Sequence, residues 1–138
     1  MLQTLLLYNI FRLNGVTVIR SGSNLLLVTT PNTFYIMALH LRYSTLMYNC
    51  SFISLFGIDI LNDNYLVYYR FIQSLQIQLH IMVLSGGSMH SIQGIFCTAT
   101  WYERECGELL PIRFIGLTDT RQLLLPYNHC GTYPLKKH

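Results

Sequence analysis

The run Gln76-Ile77-Gln78-Leu79-His80-Ile81-Met82-Val83 puts Ile77, Leu79, Ile81 and Val83 on one side of an extended chain and Gln76, Gln78, His80 and Met82 on the other. Successive side chains of a strand point to opposite faces, so this alternation predicts a strand with one buried face. His80 falls on the polar side, as a solvated or interface histidine. Gly86-Gly87 closes the strand. A one-faced strand needs neighbours, and the sequence supplies them. Tyr65 to Ile72 is dense in aromatic and β-branched residues and reads as a second strand. Asn62-Asp63-Asn64 supplies the turn before it, and Cys50 to Asp59 supplies a third strand.

Further upstream the periodicity changes. Phe34, Met37, Ala38 and Leu41 recur at helical spacing, and Thr30-Pro31 ahead of them is a start signal, because proline needs no amide partner at the first helical position. Val16 to Arg20 and Leu25 to Thr30 are β-rich runs around Ser21-Gly22-Ser23-Asn24, predicting a hairpin with a four-residue loop. Leu2, Leu5, Leu6, Ile10 and Leu13, stopped by Asn14-Gly15, predict a first, apolar helix over 2–13. The order helix, two strands, helix, three strands predicts an α+β fold of two layers. Its helices lie on one face of a mixed, mainly antiparallel sheet of about five strands, and a mostly helical and irregular C-terminal segment follows. With 138 residues, one domain over 1–138 is expected: 1–87 as the α+β core, 88–138 as a helix and docking segment.

The composition is unusual. Charged residues make up 11% against 51% hydrophobic, where a globular domain commonly has about a quarter charged. No run reaches the roughly 18 uninterrupted apolar residues of a membrane span. Leu46 to Leu61 comes closest and is broken by Asn49, Ser51, Ser54 and Asp59. Excess apolar surface with little charge favours a subunit buried against partners over a free monomer. The net charge of +3 is mild and its basic residues are scattered, which leaves nucleic acid a minor reading. Cysteines at 50, 97, 106 and 130 form no C-x-x-C pair, so His129-Cys130 is weak as a metal site.

Half of the charge sits in one place. Glu103, Arg104, Glu105, Glu108, Arg113, Asp119 and Arg121 put seven of the charged residues into nineteen positions. Thr100, three residues before Glu103, predicts a capping box and a helix from Trp101 to about Leu110, where Pro111 forbids continuation. On that helix Glu105 and Glu108 share a face and Arg104 is placed to pair with Glu108 at i, i+4. Three uses compete for these groups: a carboxylate pair for acid–base chemistry, a local cap with an ion pair, or a charge network that fixes the C-terminal segment against a partner, with Trp101 and Tyr102 as aromatic anchors.

Trp101-Tyr102-Glu103-Arg104-Glu105, followed after two residues by Glu108-Leu109, resembles the W-Y-E-R-E-x-x-[DE]-[LM]-F-G-I signature of the 30-kDa subunit of respiratory complex I. Asp119-Thr120-Arg121-Gln122-Leu123-Leu124-Leu125 is similar to that family's D-L-R-R-I-L-x, and Pro134-Leu135-Lys136-Lys137 to its P-L-R-K. Tyr68 to Val83 resembles the paired strands before the signature. Leu110-Pro111 stands for Phe-Gly, Gln122 for the second arginine, Tyr133 near a usual histidine, and His138 where the family's aspartate and tail continue. The lost glycine calls the turn after the helix into question, and the shortened tail implies a smaller contact with the neighbouring subunit.

The resemblance implies a non-catalytic core subunit of the peripheral arm of proton-translocating NADH:ubiquinone oxidoreductase, packed against the 49-kDa subunit on the matrix side of the mitochondrial inner membrane and encoded in the organelle. It implies no redox cofactor on this chain, with iron-sulfur clusters, FMN and ubiquinone on other subunits. Trp101, Tyr102, Glu103, Arg104, Glu105, Glu108, Asp119, Arg121, Pro134, Leu135, Lys136 and Lys137 become its interface and structural signature. The alternatives are a small organellar RNA-binding or ribosomal subunit, which would cluster Lys and Arg on one sheet face, and an enzyme acting through Glu105 and Glu108.

Overall fold

Strand periodicity is realised as a five-stranded mixed sheet in the computed structural model, which describes residues 16–21, 24–47, 49–73, 77–127, 129 and 131–137. The first helix predicted over 2–13 lies outside the described residues. Strands β1 (Thr17–Ser21) and β2 (Asn24–Thr29) pair antiparallel with Ser21 opposite Asn24, so two residues separate them where four were expected. Helix α1 (Pro31–Tyr43) follows. Then come β3 (Ser51–Leu61), β4 (Asn64–Ile72) and β5 (Gln78–Ser85), giving the order β1-β2-β5-β4-β3. Within this sheet only β2 and β5 run parallel, joined through α1 and the β3–β4 hairpin.

Local chemistry explains the joints. The Thr33 hydroxyl accepts from the Thr30 amide (3.2 Å) and the Thr30 carbonyl from Phe34 N (2.9 Å), so the helix opens where Thr30-Pro31 predicts. Asn62 and Asp63 both take positive φ, 55° and 56°. That is the type I′ pattern matching the twist of two antiparallel strands, and it places Leu61 opposite Asn64.

Both described α-helices cover the same side of the sheet. The α1 stripe Phe34, Met37, Ala38 and Leu41 is buried, with the Phe34 ring 4.2 Å from Tyr69. Each large apolar side chain buried there contributes about 1.5 to 3 kcal/mol. Helix α2 (Ala99–Leu109) crosses β3, its Tyr102 ring edge-on to Phe52 at 5.5 Å. At the crossing stands Gly57, where a Cβ would come within 2.5 Å of Leu110 Cδ1 and 2.8 Å of Cys106 Sγ. The other face of the sheet carries the cross-strand rows Val28–Met82–Tyr68–Phe56 and Leu26–His80–Arg70–Ser54, and no described helix lies over it. His80 sits on this face, the side its alternation predicts.

The C-terminal third holds one helix and, unforeseen, a small parallel pair: β6 (Ser88–His90) with β7 (Arg113–Ile115). Three-residue strands with a single buried residue each, Met89 and Phe114, are too short to show a period. From Gly116 onward the described chain is irregular. Among the described residues no helix is long and apolar enough to cross a membrane.

Candidate functional site

The α2 helix begins at Ala99, two residues before the predicted start, and this shift reassigns the first two groups of the signature. Thr100 is already inside the helix and donates its hydroxyl to the Cys97 carbonyl (2.8 Å), while Thr98 holds the cap position without a side-chain bond. The capping box does not form. Glu103 instead lies on the buried stripe with Ala99 and Cys106 and is 0% exposed. Its carboxylate accepts from Ser91 Oγ and from the Ile92 amide (2.8 Å), which anchors the loop between β6 and α2. Burial pushes the Glu103 carboxyl up to about 7, against the pull of those two hydrogen bonds, and no described cation sits beside it.

Arg104, one residue on, reaches outward. Its Nε and Nη2 donate to the Arg121 carbonyl (3.2 and 2.8 Å), Nη1 approaches Asp119 Oδ2 at 3.4 Å, and the guanidinium lies 5.1 Å over the Trp101 ring. The side chain is only 9% exposed. Asp119 is gripped from the other side by Arg121, Nε at 3.0 Å and Nη2 at 2.8 Å, and these bonds hold its carboxyl well below the usual range. The predicted partner of Arg104 is Glu108, but that carboxylate is taken elsewhere. It accepts from Leu123 N (3.0 Å), Leu124 N (3.0 Å) and Leu125 N (2.5 Å). Burial alone would raise the Glu108 carboxyl, but those amides and the Arg104 charge outweigh it and leave it below the ordinary value.

A second clasp lies further along. Lys136 Nζ meets Asp63 Oδ1 at 3.1 Å, the Lys137 amide donates to Asp59 Oδ2 at 2.8 Å, and Leu135 N donates to the Leu109 carbonyl at 3.1 Å. The amides of Leu61 and Lys137 lower the Asp59 carboxyl. Pro134, in the turn before Leu135, is exposed. Between the clasps a cleft of about 620 Å³ opens against α2 and β7, lined by Arg104, Glu108, Arg113, His129 and Tyr133 among others.

The structure thus brings together Arg104, Asp119, Arg121 and Glu108 with the segment 121–125, and Lys136 and Lys137 with the β3–β4 turn. It does not bring in Glu105, which among the described residues is exposed without a hydrogen bond or ion pair, nor Arg113, whose side chain is exposed. Trp101 is 58% exposed beside Arg104, and Tyr102 is half-buried on Phe52. Asp59, Asp63 and Ser91 escape the sequence reading. A buried aspartate in an apolar strand is the one signal that could have found Asp59. The turn after α2 needs no glycine, because Leu110 is extended (φ −127°, ψ 148°), the conformation favoured before proline. His129 bonds Thr132 (2.9 Å), Cys130 lies outside the described residues, and the described residues contain no cluster of three metal-ligating side chains.

Chemically, Glu103, Glu108 and Asp59 each accept from backbone amides. Glu108 has its carboxylate oxygens on three amides, Glu103 is sealed from solvent, and Glu105 is exposed without a hydrogen bond or ion pair among the described residues. The open sheet face, where an RNA-binding reading would cluster Lys and Arg, shows one described basic side chain, Arg70.

Known proteins resemble this chain in sequence and in fold. The sequence model of the family described as "Respiratory-chain NADH dehydrogenase, 30 Kd subunit" matches residues 27–138. An NADH-quinone oxidoreductase subunit of Mesorhizobium japonicum is 34% identical over 98 residues, covering 64% of this chain and 47% of that protein. The NADH-ubiquinone oxidoreductase subunit 9 of Acanthamoeba castellanii is 28% identical over 118 residues, covering 77% and 60%. The chain thus spans about half the length of the curated relatives it matches. Among solved structures, a chain of the membrane-bound sulfane sulfur reductase, an archaeal respiratory membrane complex, superposes with a TM-score of 0.61 at 14% identity over 84% of this chain and 72% of that one, a likeness of fold.

Proposed function

The chain belongs to the 30-kDa subunit family of respiratory-chain NADH dehydrogenase, and on that premise we infer that it is a core subunit of the peripheral arm of a proton-translocating NADH:ubiquinone oxidoreductase. It supports electron transfer from NADH to ubiquinone by assembly, not by chemistry of its own. The observation that carries this reading is the use of the signature charges: Arg104 and Glu108 together take four backbone groups of residues 121–125, fixing a segment that has almost no core of its own. Fixed, that segment presents Leu124 at 59% exposure, and Tyr127, two residues beyond it, is 94% exposed, an apolar and aromatic surface a partner can cover.

The partner is the 49-kDa subunit, and the complex lies on the matrix side of the mitochondrial inner membrane, with the gene in the organelle. Iron-sulfur clusters, FMN and ubiquinone are carried by the other subunits. Native purification through a tag on this chain tests the reading: flavin- and iron-sulfur-bearing proteins with NADH:ubiquinone reductase activity are expected in the same particle. Recovery with ribosomal RNA, or as a solitary monomer, would overturn it.

A further inference from the structure

The sheet face turned away from both helices has the make-up of an interface and no described cover. Phe56, Ile58 and Leu84 are 46%, 43% and 51% exposed on it, with Tyr68 and Met82 half-buried between them. Interface cores are enriched in aromatic residues, methionine and arginine, and depleted of lysine, aspartate and glutamate. The one described charged side chain on this face is Arg70, set between His80 of β5 and Ser54 of β3. Its Nε is buried without a hydrogen-bond partner. His80 makes no hydrogen bond to it; its Nδ1 is bonded to the Tyr68 hydroxyl, and burial, with the Arg70 charge beside it, lowers the pKa of the imidazole.

A guanidinium on an otherwise uncharged, largely apolar face is complementary to a carboxylate, and none of the acids of this sequence is placed beside it. Its six acids are Asp59, Asp63, Glu103, Glu105, Glu108 and Asp119. The first two are held by the Lys137 amide and by Lys136, and the other four lie on α2 or after β7, behind the sheet. Residues 1–15 contain Arg12 and no Asp or Glu. A second copy laid face to face brings no carboxylate from this face, whose described charged side chain is again Arg70. An Asp or Glu carboxylate of a partner protein is the group complementary to this site.

We propose that this open sheet face docks a protein partner that lays apolar side chains over Phe56, Ile58 and Leu84 and sets an Asp or Glu carboxylate against Arg70. The inference rests on the subunit reading above and adds the face and the chemistry of the contact. The planar guanidinium accepts a carboxylate through two parallel hydrogen bonds, which gives the docking its register as well as its charge match.

The test uses the full chain in its native complex. A benzophenone amino acid in place of Phe56 is expected to crosslink, on illumination, to a partner peptide containing Asp or Glu, while the same probe at Ile36 on the outer side of α1 does not give that peptide. Arg70→Glu is expected to lower the assembled fraction at least tenfold, and exchanging the partner's carboxylate for lysine to restore it. The isolated Arg70→Met chain should unfold no earlier than the wild type, since it loses an unpaired cation. A crosslink to lipid, to a second copy or to a peptide without a carboxylate would overturn the proposal. So would assembly of Arg70→Glu at the wild-type level, or an early unfolding of Arg70→Met. Loss of the crosslink in a chain that still co-purifies with the complex counts against this face alone; absence of the wild-type chain from the complex counts against the subunit reading and the proposal together.

Discussion

Replacing Glu103 with glutamine separates what its charge does from what its shape does. In the folded chain burial moves its pKa from an ordinary 4.5 to about 7. The sign follows from which state holds the proton. Below pH 4.5 the carboxyl is protonated in both states and its full contribution is present. As pH rises towards 7 the unfolded chain gives up the proton while the folded chain retains it, so stability falls through that window and levels off above it. The 2.5-unit difference corresponds to about 3 kcal/mol. Glutamine is always neutral, fits the same space, and keeps an oxygen for Ile92 N and an amide for Ser91 Oγ. Urea unfolding of the full chain and the Glu103→Gln variant at steps from pH 4.5 to 8 is therefore expected to give equal stabilities at the acid end and a gap opening to about 3 kcal/mol in favour of the variant by pH 8. Other titrating groups cancel in the difference. Two parallel curves would refute the argument that Glu103 is a desolvated, unpaired acid.

The remaining predictions concern the clasps and the helix crossing. Glu108→Ala removes the acceptor shared by Leu123, Leu124 and Leu125, so hydrogen exchange at those amides is expected to speed up roughly tenfold while the sheet amides stay protected. In the wild type the same acceleration is expected on acidification below the ordinary carboxyl range, because a depressed pKa contributes only while the group is ionised. Gly57→Ala drives a Cβ into Leu110 and Cys106 and should cost about 1 to 3 kcal/mol in chemical denaturation. Glu105→Ala, at an exposed and unbonded position, should leave the stability of the isolated chain within about 0.5 kcal/mol. A larger loss would mean that Glu105 has a partner inside the fold.

Much of the sheet is legible because period-two alternation is a local signal. The strand around Leu79 to Val83, its neighbour Tyr65 to Ile72 and the Asn62-Asp63 turn lie where the residues put them. The strand order and the parallel β2–β5 pair depend on how helix α1 carries the chain back, which no local pattern encodes. The signature helix shows the same division. Its existence and its stop at Leu110-Pro111 are readable. Its start is not, because Thr100 and Glu103 satisfy a short motif that tertiary burial overrides, drawing Glu103 to Ser91 and Ile92. The i, i+4 rule likewise offers Glu108 to Arg104, but the fold gives Glu108 three amides fifteen to seventeen residues downstream, and ordered backbone donors outweigh one neighbouring cation.

The central claim is that these charges serve assembly and not catalysis, and it is tested most directly by measuring NADH:ubiquinone reductase activity per assembled complex in Glu108→Ala and Glu105→Ala strains. The account predicts that activity falls only in proportion to the amount of complex, with the assembled particles turning over at the wild-type rate. Fully assembled particles whose turnover collapses would contradict it.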